Sequence, residues 1–261
     1  QLQVFKAGKD FRERCVLGAN RAGKTTMGAV ECSYHATGDY PQWWEGYRFS
    51  KPVKIWAAGE SIAAARDIVQ QKLLGDAGQW GTGTLPKASI VEVRRKPGVA
   101  DAVDTVRIRH ITGGVSEIGF KSYASQREDF QGVRRDFVWM DEEPSAPIYS
   151  ECLLRTAATH PSEQAGRTLI TATPLKGLSE IIQSFQQDGR LVENDDRFAC
   201  QIGWHQTPHL TEREKAELTR GMSKHEIEAR TLGHPSLGSG AIYEYSEDAL
   251  VLKESMTKIP P

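Results

Sequence analysis

Residues 17–26 read LGANRAGKTT, and no other stretch limits the possible folds as much. Gly18, four further residues and then Gly23-Lys24-Thr25 complete the pattern GxxxxGK[ST] without a mismatch. The apolar run RCVLGA (14–19) reads as a buried strand entering this loop. GKTTMGAVECSYHATG (23–38) reads as a helix leaving it, closed by Gly38. Between a strand and a helix, glycines let the loop curl so that its backbone N–H groups point inward. The helix N-terminus adds partial positive charge. Such a loop cradles phosphates: Lys24 would reach the β and γ groups as a point charge, and the Thr25 hydroxyl would face Mg²⁺. Gly18, Asn20, Arg21, Ala22, Gly23, Lys24, Thr25 and Thr26 are therefore candidate ATP-binding residues. A glycine-rich turn without a ligand is the plainer alternative.

The strand-then-helix order repeats. VKIWAAG (53–59) is a second buried strand. SIAAARDIVQQKLLG (61–75) is a helix with Ser61 as N-cap and Gly75 as C-cap. Two such units predict an α/β fold with a mainly parallel sheet flanked by helices. After a glycine-rich loop over 76–88, three alternating segments (89–96, 104–112 and 114–123) predict antiparallel hairpin strands added to that sheet. DFVWMDEE (136–143) is a buried strand with an acidic end, and 147–160 is helical. RTLITATP (167–174) is a strand stopped by Pro174, 177–189 is helical, and DRFACQIGW (196–204) is the last strand. Beyond it the chain changes character, with two polar helices over 210–235 and a loop with a short extended piece over 238–248.

The acidic strand supplies what the phosphate loop needs next. Asp141 would lie at the carboxyl edge of the sheet and hold Mg²⁺, directly or through water, and Glu142 would activate the attacking water. Glu143 would point the other way if the strand continued. An Asp-Glu pair at this place favours the additional-strand ATPase division of P-loop proteins over kinases and small GTPases. Thr171 and Thr173, in the TATP that ends the next strand, could report the presence of the γ-phosphate. Arg21, within the loop, could act as an arginine finger in cis; it could also hold a neighbouring subunit or simply be solvated. Arg155 is a weaker candidate for a finger offered in trans, a surface arginine being its plainer reading. Arg94, Arg95, Lys96, Arg107 and Arg109 on the hairpin segments could grip nucleic acid through its phosphates, or be solvated strand faces.

Composition excludes little but constrains some classes. With 261 residues the chain can form one large domain or two small ones, and its net charge of −1 neither demands nor forbids a nucleic-acid partner. No run of about 18 apolar residues suggests a membrane span, and no secretory signal is visible. Cys15, Cys32, Cys152 and Cys200 lie far apart, without a CxxC pair, and read as buried thiols of a reducing compartment rather than a zinc site. HEIEAR (225–230) lacks the second histidine of HExxH and reads as a surface helix.

In this order and spacing, GANRAGKT, FVWMDEE and ITATP resemble the ATPase domain of a tailed-phage terminase large subunit, the motor that packages DNA into procapsids. An arginine inside the phosphate loop is a habit of that family. The segment from TPHLTEREKAEL to GSGAIY resembles its linker subdomain, so the likeness spans nearly the whole chain. It implies a P-loop ATPase core over 1–203 and a small helical linker or lid subdomain over 204–261. It implies catalysis by Glu142, Arg21 and Lys24, and Mg²⁺ bound by Thr25 and Asp141. It makes Thr171 and Thr173 a coupling element. Adenine would be contacted by a glutamine upstream of the loop, Gln1 first and Gln3 second. The implied partners are double-stranded DNA, a portal protein and procapsid, a small terminase subunit and further copies in a ring, in the cytoplasm of an infected host. Relatives continue into an RNase H-like nuclease. This chain ends at KIPP, about where such a domain would start, so no nuclease activity is expected of it. A superfamily 2 helicase-like ATPase shares the same motifs, but it would need a second RecA-like domain. A nucleotide-dependent assembly module without catalysis is disfavoured by intact Lys24, Asp141 and Glu142.

Overall fold

A computed structural model describes residues 1–124, 127–160, 163–187, 190–191, 193–194 and 196–235. The extended piece expected over 238–248 lies outside them. The elements in chain order are α1 (Leu2–Asp10), β1 (Glu13–Gly18), α2 (Lys24–Thr37) and β2 (Lys54–Gly59). A single helical run follows, α3 (Ile62–Ala64), a π-helical stretch (Ala65–Gln70) and α4 (Gln71–Leu74). Then come β3 (Ile90–Arg95), β4 (Val103–Arg109), β5 (Val115–Ser122), β6 (Phe137–Asp141), α5 (Ala146–Thr156), β7 (Arg167–Ala172) and α6 (Glu180–Ser184). The short strands β8 (Gln186–Gln187), β9 (Arg190–Leu191) and β10 (Glu193–Asn194) precede β11 (Arg197–Ile202), α7 (Glu212–Thr219) and α8 (Lys224–Leu232).

Among the described residues, nine strands form one sheet in the order β10-β11-β1-β7-β6-β2-β5-β4-β3. From β11 to β5 all neighbours are parallel; β10, β4 and β3 are antiparallel additions at the two ends. The segment 114–123 is thus more than a hairpin arm, because β5 pairs antiparallel with β4 and parallel with β2. β7 lies between β1 and β6, which is the arrangement that defines the additional-strand division.

The period of two along each strand sorts the core into two layers. Val16, Ile55, Ala57, Phe137, Trp139 and Leu169 pack under α1, α2 and the α3–α4 run. Cys15, Leu17, Trp56, Ala58, Val138, Met140 and Ile170 pack under α5 and α6. Strands buried on both faces read as continuous apolar runs, which is why they are legible in the sequence.

Two expectations on helices need correction, and one helix was not expected. α5 ends at Thr156, not 160: Thr156 Oγ1 donates back to the carbonyls of Cys152 and Leu153, and Arg12 also takes that of Leu153. Of the helix expected over 177–189, only the five residues of α6 are helical among those described, 188–189 lie outside the described residues, and Gln186–Gln187 pairs with Arg190–Leu191. There Phe185 is fully buried and Arg197 takes the Ser184 carbonyl, so the next turn has no reason to form. Finally, residues 2–10, which carried no assignment, form α1, with Val4, Phe5, Ala7 and Gly8 on its buried face.

Candidate active site

Parallel strands place their carboxyl ends together, and the loops after β1, β6 and β7 meet there. α2 starts at Lys24, with Gly23 in the left-handed region (φ 79°) and no side-chain cap on its first turn among the described residues. The amides there are available to an anion. Gly18 is needed for space: a Cβ there would lie 2.7 Å from Lys24 Cδ.

Lys24 is buried, and its ammonium donates to the carbonyls of Gly18 and Ala19 (2.9 Å each) and to Thr173 Oγ1 (3.0 Å). All three acceptors are neutral, and burial lowers its pKa against the opposing pull of Glu142 and Asp141. Thr25 Oγ1 donates to the Asp141 carboxylate, 3.1 Å from either oxygen. On the other side Trp139 Nε1–H donates to Thr171 Oγ1 (2.8 Å), which donates to Asp141 Oδ1 (2.8 Å). Burial pushes the Asp141 carboxyl up to about 6, although these hydroxyls pull the other way.

β6 stops at Asp141, and Glu142 adopts a left-handed conformation (φ 66°). In a continuing strand residues 141 and 142 would face opposite sides of the sheet. The turn instead brings the Glu142 carboxylate to the backbone N–H of Thr173, 2.9 Å away. Burial raises its pKa too. Glu143 turns away: it is buried, burial raises its pKa, and Ser179 hydrogen-bonds its carboxyl.

The segment after β11 packs onto the outside of the loop. Trp204 Nε1–H donates to the Asn20 carbonyl (2.8 Å), and the Asn20 N–H donates to the carbonyl of Arg230 in α8 (2.8 Å). A Cβ on Gly233 would meet Gly18 Cα at 2.9 Å. Asn20 Oδ1 also accepts from Thr173 Oγ1 (3.2 Å), so Asn20 touches both the tip after β7 and the last helices. Trp204 and Arg230 were not singled out in the sequence, and nothing there distinguishes them from packing residues.

The structure thus brings together Gly18, Asn20, Lys24, Thr25, Asp141, Glu142, Thr171 and Thr173. Ala22 is buried against Trp204 and Leu210, and Thr26 is exposed in the first turn of α2. Gln1 also lies at the loop, its side-chain amide 2.7 Å from where a Gly23 Cβ would be, whereas Gln3 lines a small surface cavity with Leu2, Phe5, Lys6, Trp43 and Glu45. Arg21 is exposed on the rim; hydrogen bonds from Thr211 and, more weakly, the charge of Arg21 lower the pKa of Glu214 in α7. Arg155 is not part of this edge. It ends α5, pairs with Glu151 (3.1 Å) and donates to the Gly132 carbonyl (2.6 Å). Of the basic hairpin residues, Arg94 and Arg107 share Glu92 and Arg95 faces Asp101, while Arg109 is exposed.

Thr25 and Asp141 present two hard oxygens in direct contact. That fits Mg²⁺, which takes one or two protein oxygens together with phosphate and water. Among the described residues no cluster of three His, Cys, Asp or Glu could hold a metal unaided, and no helix is long and apolar enough to cross a membrane.

Residues 15–249 match the family model described as terminase large subunit, T4likevirus-type, N-terminal. The terminase large subunit of Salmonella phage P22 is 30% identical over 270 residues, which cover 96% of this chain and 52% of that protein. The chain therefore spans about half the length of this curated relative. Among solved structures, the large terminase of a thermophilic bacteriophage in complex with ADP aligns with a TM-score of 0.59 at 17% identity, over 88% of this chain and 49% of that one. The large terminase ATPase domain of Thermus phage P74-26 aligns with a TM-score of 0.53 at 19% identity, over 88% of this chain and 91% of that one. These likenesses identify the fold as that of the terminase ATPase domain, a P-loop NTPase.

Proposed function

The chain belongs to the terminase large-subunit family, and from that premise we propose that it is the ATPase motor domain of such a subunit, hydrolysing ATP to drive double-stranded DNA through a portal into a procapsid. The observation that carries this reading is the meeting of Lys24, Thr25, Asp141, Glu142 and Thr173 at one sheet edge. The structural relative in complex with ADP supports a nucleotide as the ligand.

The chemistry assigned to each residue follows from its place. First-turn amides of α2 and Lys24 receive the phosphates, and Lys24 exchanges its neutral oxygen partners for anionic ones. Thr25 and Asp141 would hold Mg²⁺, which would neutralise phosphate charge. Glu142 orients water and draws off its proton; burial already raises its pKa toward the range a base requires. Arg21, exposed on the rim, can swing onto the γ-phosphoryl group as a finger in cis. The Gln1 amide, which lies beside Gly23, would make the contact to the base.

Coupling runs through Thr173 and Asn20. When Lys24 leaves Thr173 for phosphate, the contacts of Asn20 with Trp204 and Arg230 transmit the change to residues 204–235, the described part of the linker subdomain. In a ring of copies that motion would push duplex DNA, gripped through its phosphates without base readout.

The test is phosphate release from Mg-ATP over a series of protein concentrations, with duplex DNA, single-stranded DNA or neither. A specific rate that climbs with concentration and prefers duplex supports a ring motor. A concentration-independent rate stimulated by single strands points to the helicase-like reading, and no release under any condition refutes the ATPase.

A further inference from the structure

Glu142 is held in place by groups outside the phosphate loop and the acidic strand. Among the described residues, Arg21, Asp101 and Glu142 are the non-glycine residues with positive φ, a conformation that needs outside support. The Glu142 N–H donates to the Thr171 carbonyl (2.8 Å), and its carboxylate accepts from Thr173 N–H. The third tether comes from Tyr123, just past the end of β5. Its hydroxyl lies 3.1 Å from the Glu142 carbonyl, 3.3 Å from that of Asp141 and 3.4 Å from that of Ala58. Tyr123 N–H continues the β5–β2 pairing by donating to the Gly59 carbonyl (3.0 Å), which fixes where the ring begins. The ring packs against the cluster under α5 and α6. One hydroxyl proton faces three carbonyls, the nearest being that of the left-handed residue.

We propose that Tyr123 is a positioning residue of the hydrolytic site: by donating to the Glu142 carbonyl it holds the left-handed turn that aims the Glu142 carboxylate at the sheet edge. Facing only carbonyl oxygens, the phenol hydroxyl serves as a donor. Without that donor the peptide after Glu142 can rotate, and the carboxylate drifts from the place where water must be met. This rests on the ATPase reading and adds to it a residue from a strand outside the recognised motifs.

The experiment uses the purified chain and the variants Tyr123→Phe, Glu142→Gln and the double substitution. Tyr123→Phe keeps the ring and removes the hydroxyl. Expected is a fall in kcat of about ten- to hundred-fold, as small misplacements of a catalytic group produce, with KM for ATP within about two-fold and thermal unfolding nearly unchanged. Because Tyr123 acts through the carboxylate, its loss should slow Glu142→Gln no further when the residual rate is followed with enzyme in excess. A readout free of turnover is amide hydrogen exchange at Thr173, expected to speed up in Tyr123→Phe as the Glu142 carboxylate lets go. Unchanged kcat and unchanged exchange overturn the proposal, as does the same loss of rate with and without Glu142. A wild-type chain that releases no phosphate while Tyr123→Phe still loosens Thr173 would refute the ATPase reading and leave the positioning role standing.

Discussion

Helix α2 carries two buried polar clusters that differ in what they lack. In its middle, Glu31 and His35 face Arg14 of β1. Arg14 donates to both Glu31 oxygens (3.1 and 2.6 Å) and to the Val4 carbonyl, while His35 bridges Glu31 and Tyr40, and Arg14, Glu31 and His35 are almost wholly buried. At its start, Lys24 and Thr25 face Asp141 and Glu142; Lys24 and Asp141 are buried, Thr25 and Glu142 half-buried. Burial pushes Glu31 up, but Arg14 and His35 outweigh it and its pKa ends below the ordinary value. At the other cluster burial wins, so Asp141 and Glu142 rise and Lys24 falls. The first cluster pairs its charges within the chain, leaving only the Arg14 Nε–H without an acceptor among the described residues. In the second, Lys24, Asp141 and Glu142 make hydrogen bonds but no ion pair among the described residues, and charges with shifted pKa values at a sheet edge mark a site made for a ligand.

The sharpest way to break this comparison is to delete the cation from each. Lys24→Ala should lower ATP turnover by about 10²–10³-fold, the usual loss for one preorganised donor, and leave thermal stability unchanged or slightly raised, since the buried ammonium is disfavoured by its surroundings. Arg14→Met should do the reverse. It strands Glu31 in the core and should cost about 3–5 kcal/mol of stability, with near-normal turnover per folded molecule at low temperature. Phosphate release and chemical denaturation on the same preparations decide it. Equal effects of both variants on both readouts would erase the distinction.

Acidity probes the same difference with opposite signs. Glu31 has a lowered folded pKa, so its contribution is present above the ordinary carboxylate range and is lost as pH falls through the folded value. Asp141 has a raised folded pKa of about 6, so its contribution is full below the ordinary value of 3.8 and is lost as pH rises through about 6. In Mg²⁺-free buffer, Asp141→Asn should therefore flatten the stability curve between about pH 4 and 6 and add about 1–3 kcal/mol at pH 8. A variant less stable than the parent at pH 8 would show that Asp141 is compensated within the chain after all.

What the sequence disclosed follows from the same physics. Strands buried on both faces announce themselves as apolar runs, and the phosphate loop has to carry glycine, lysine and threonine at fixed spacing. Hence β1, α2, β6 and β7 were legible, and with them Lys24, Thr25 and Asp141 as neighbours. The left-handed turn at Glu142 was not, because no glycine or asparagine marks it; it is imposed by Thr171 in β7 and by Thr173 and Tyr123 just past the ends of β7 and β5. The Arg14–Glu31–His35 cluster was hidden for a similar reason, since Glu31 and His35 sit four apart in a helix but Arg14 comes from a strand. Gln186–Gln187, which pairs with Arg190–Leu191, was misread as helix because Phe185 belongs to the core and not to a helical face.

Arg155 is the smallest and most decisive test of how far residue type alone can be trusted. It is basic and on the helix after the acidic strand, yet its surroundings are those of the paired cluster rather than the open one. Glu151 pairs with it one turn back, and Gly132 accepts from it. It also lies at the amino edge of the sheet: its carbonyl accepts from Arg135, which leads into β6, and the adjoining Thr156 contacts Arg12, which leads into β1. To serve a neighbour's nucleotide, a ring would have to set the amino edge of one sheet against the carboxyl edge of the next, and Glu151 would have to release its partner. Arg155→Ala should therefore change kcat by less than about two-fold at every protein concentration and cost at most about 1 kcal/mol. A trans finger would instead be lost with a 10³–10⁵-fold fall, seen only where the wild-type rate climbs with concentration. That fall would mean assembly remakes the amino edge, and that a pairing complete in the single chain is exchanged for one between chains.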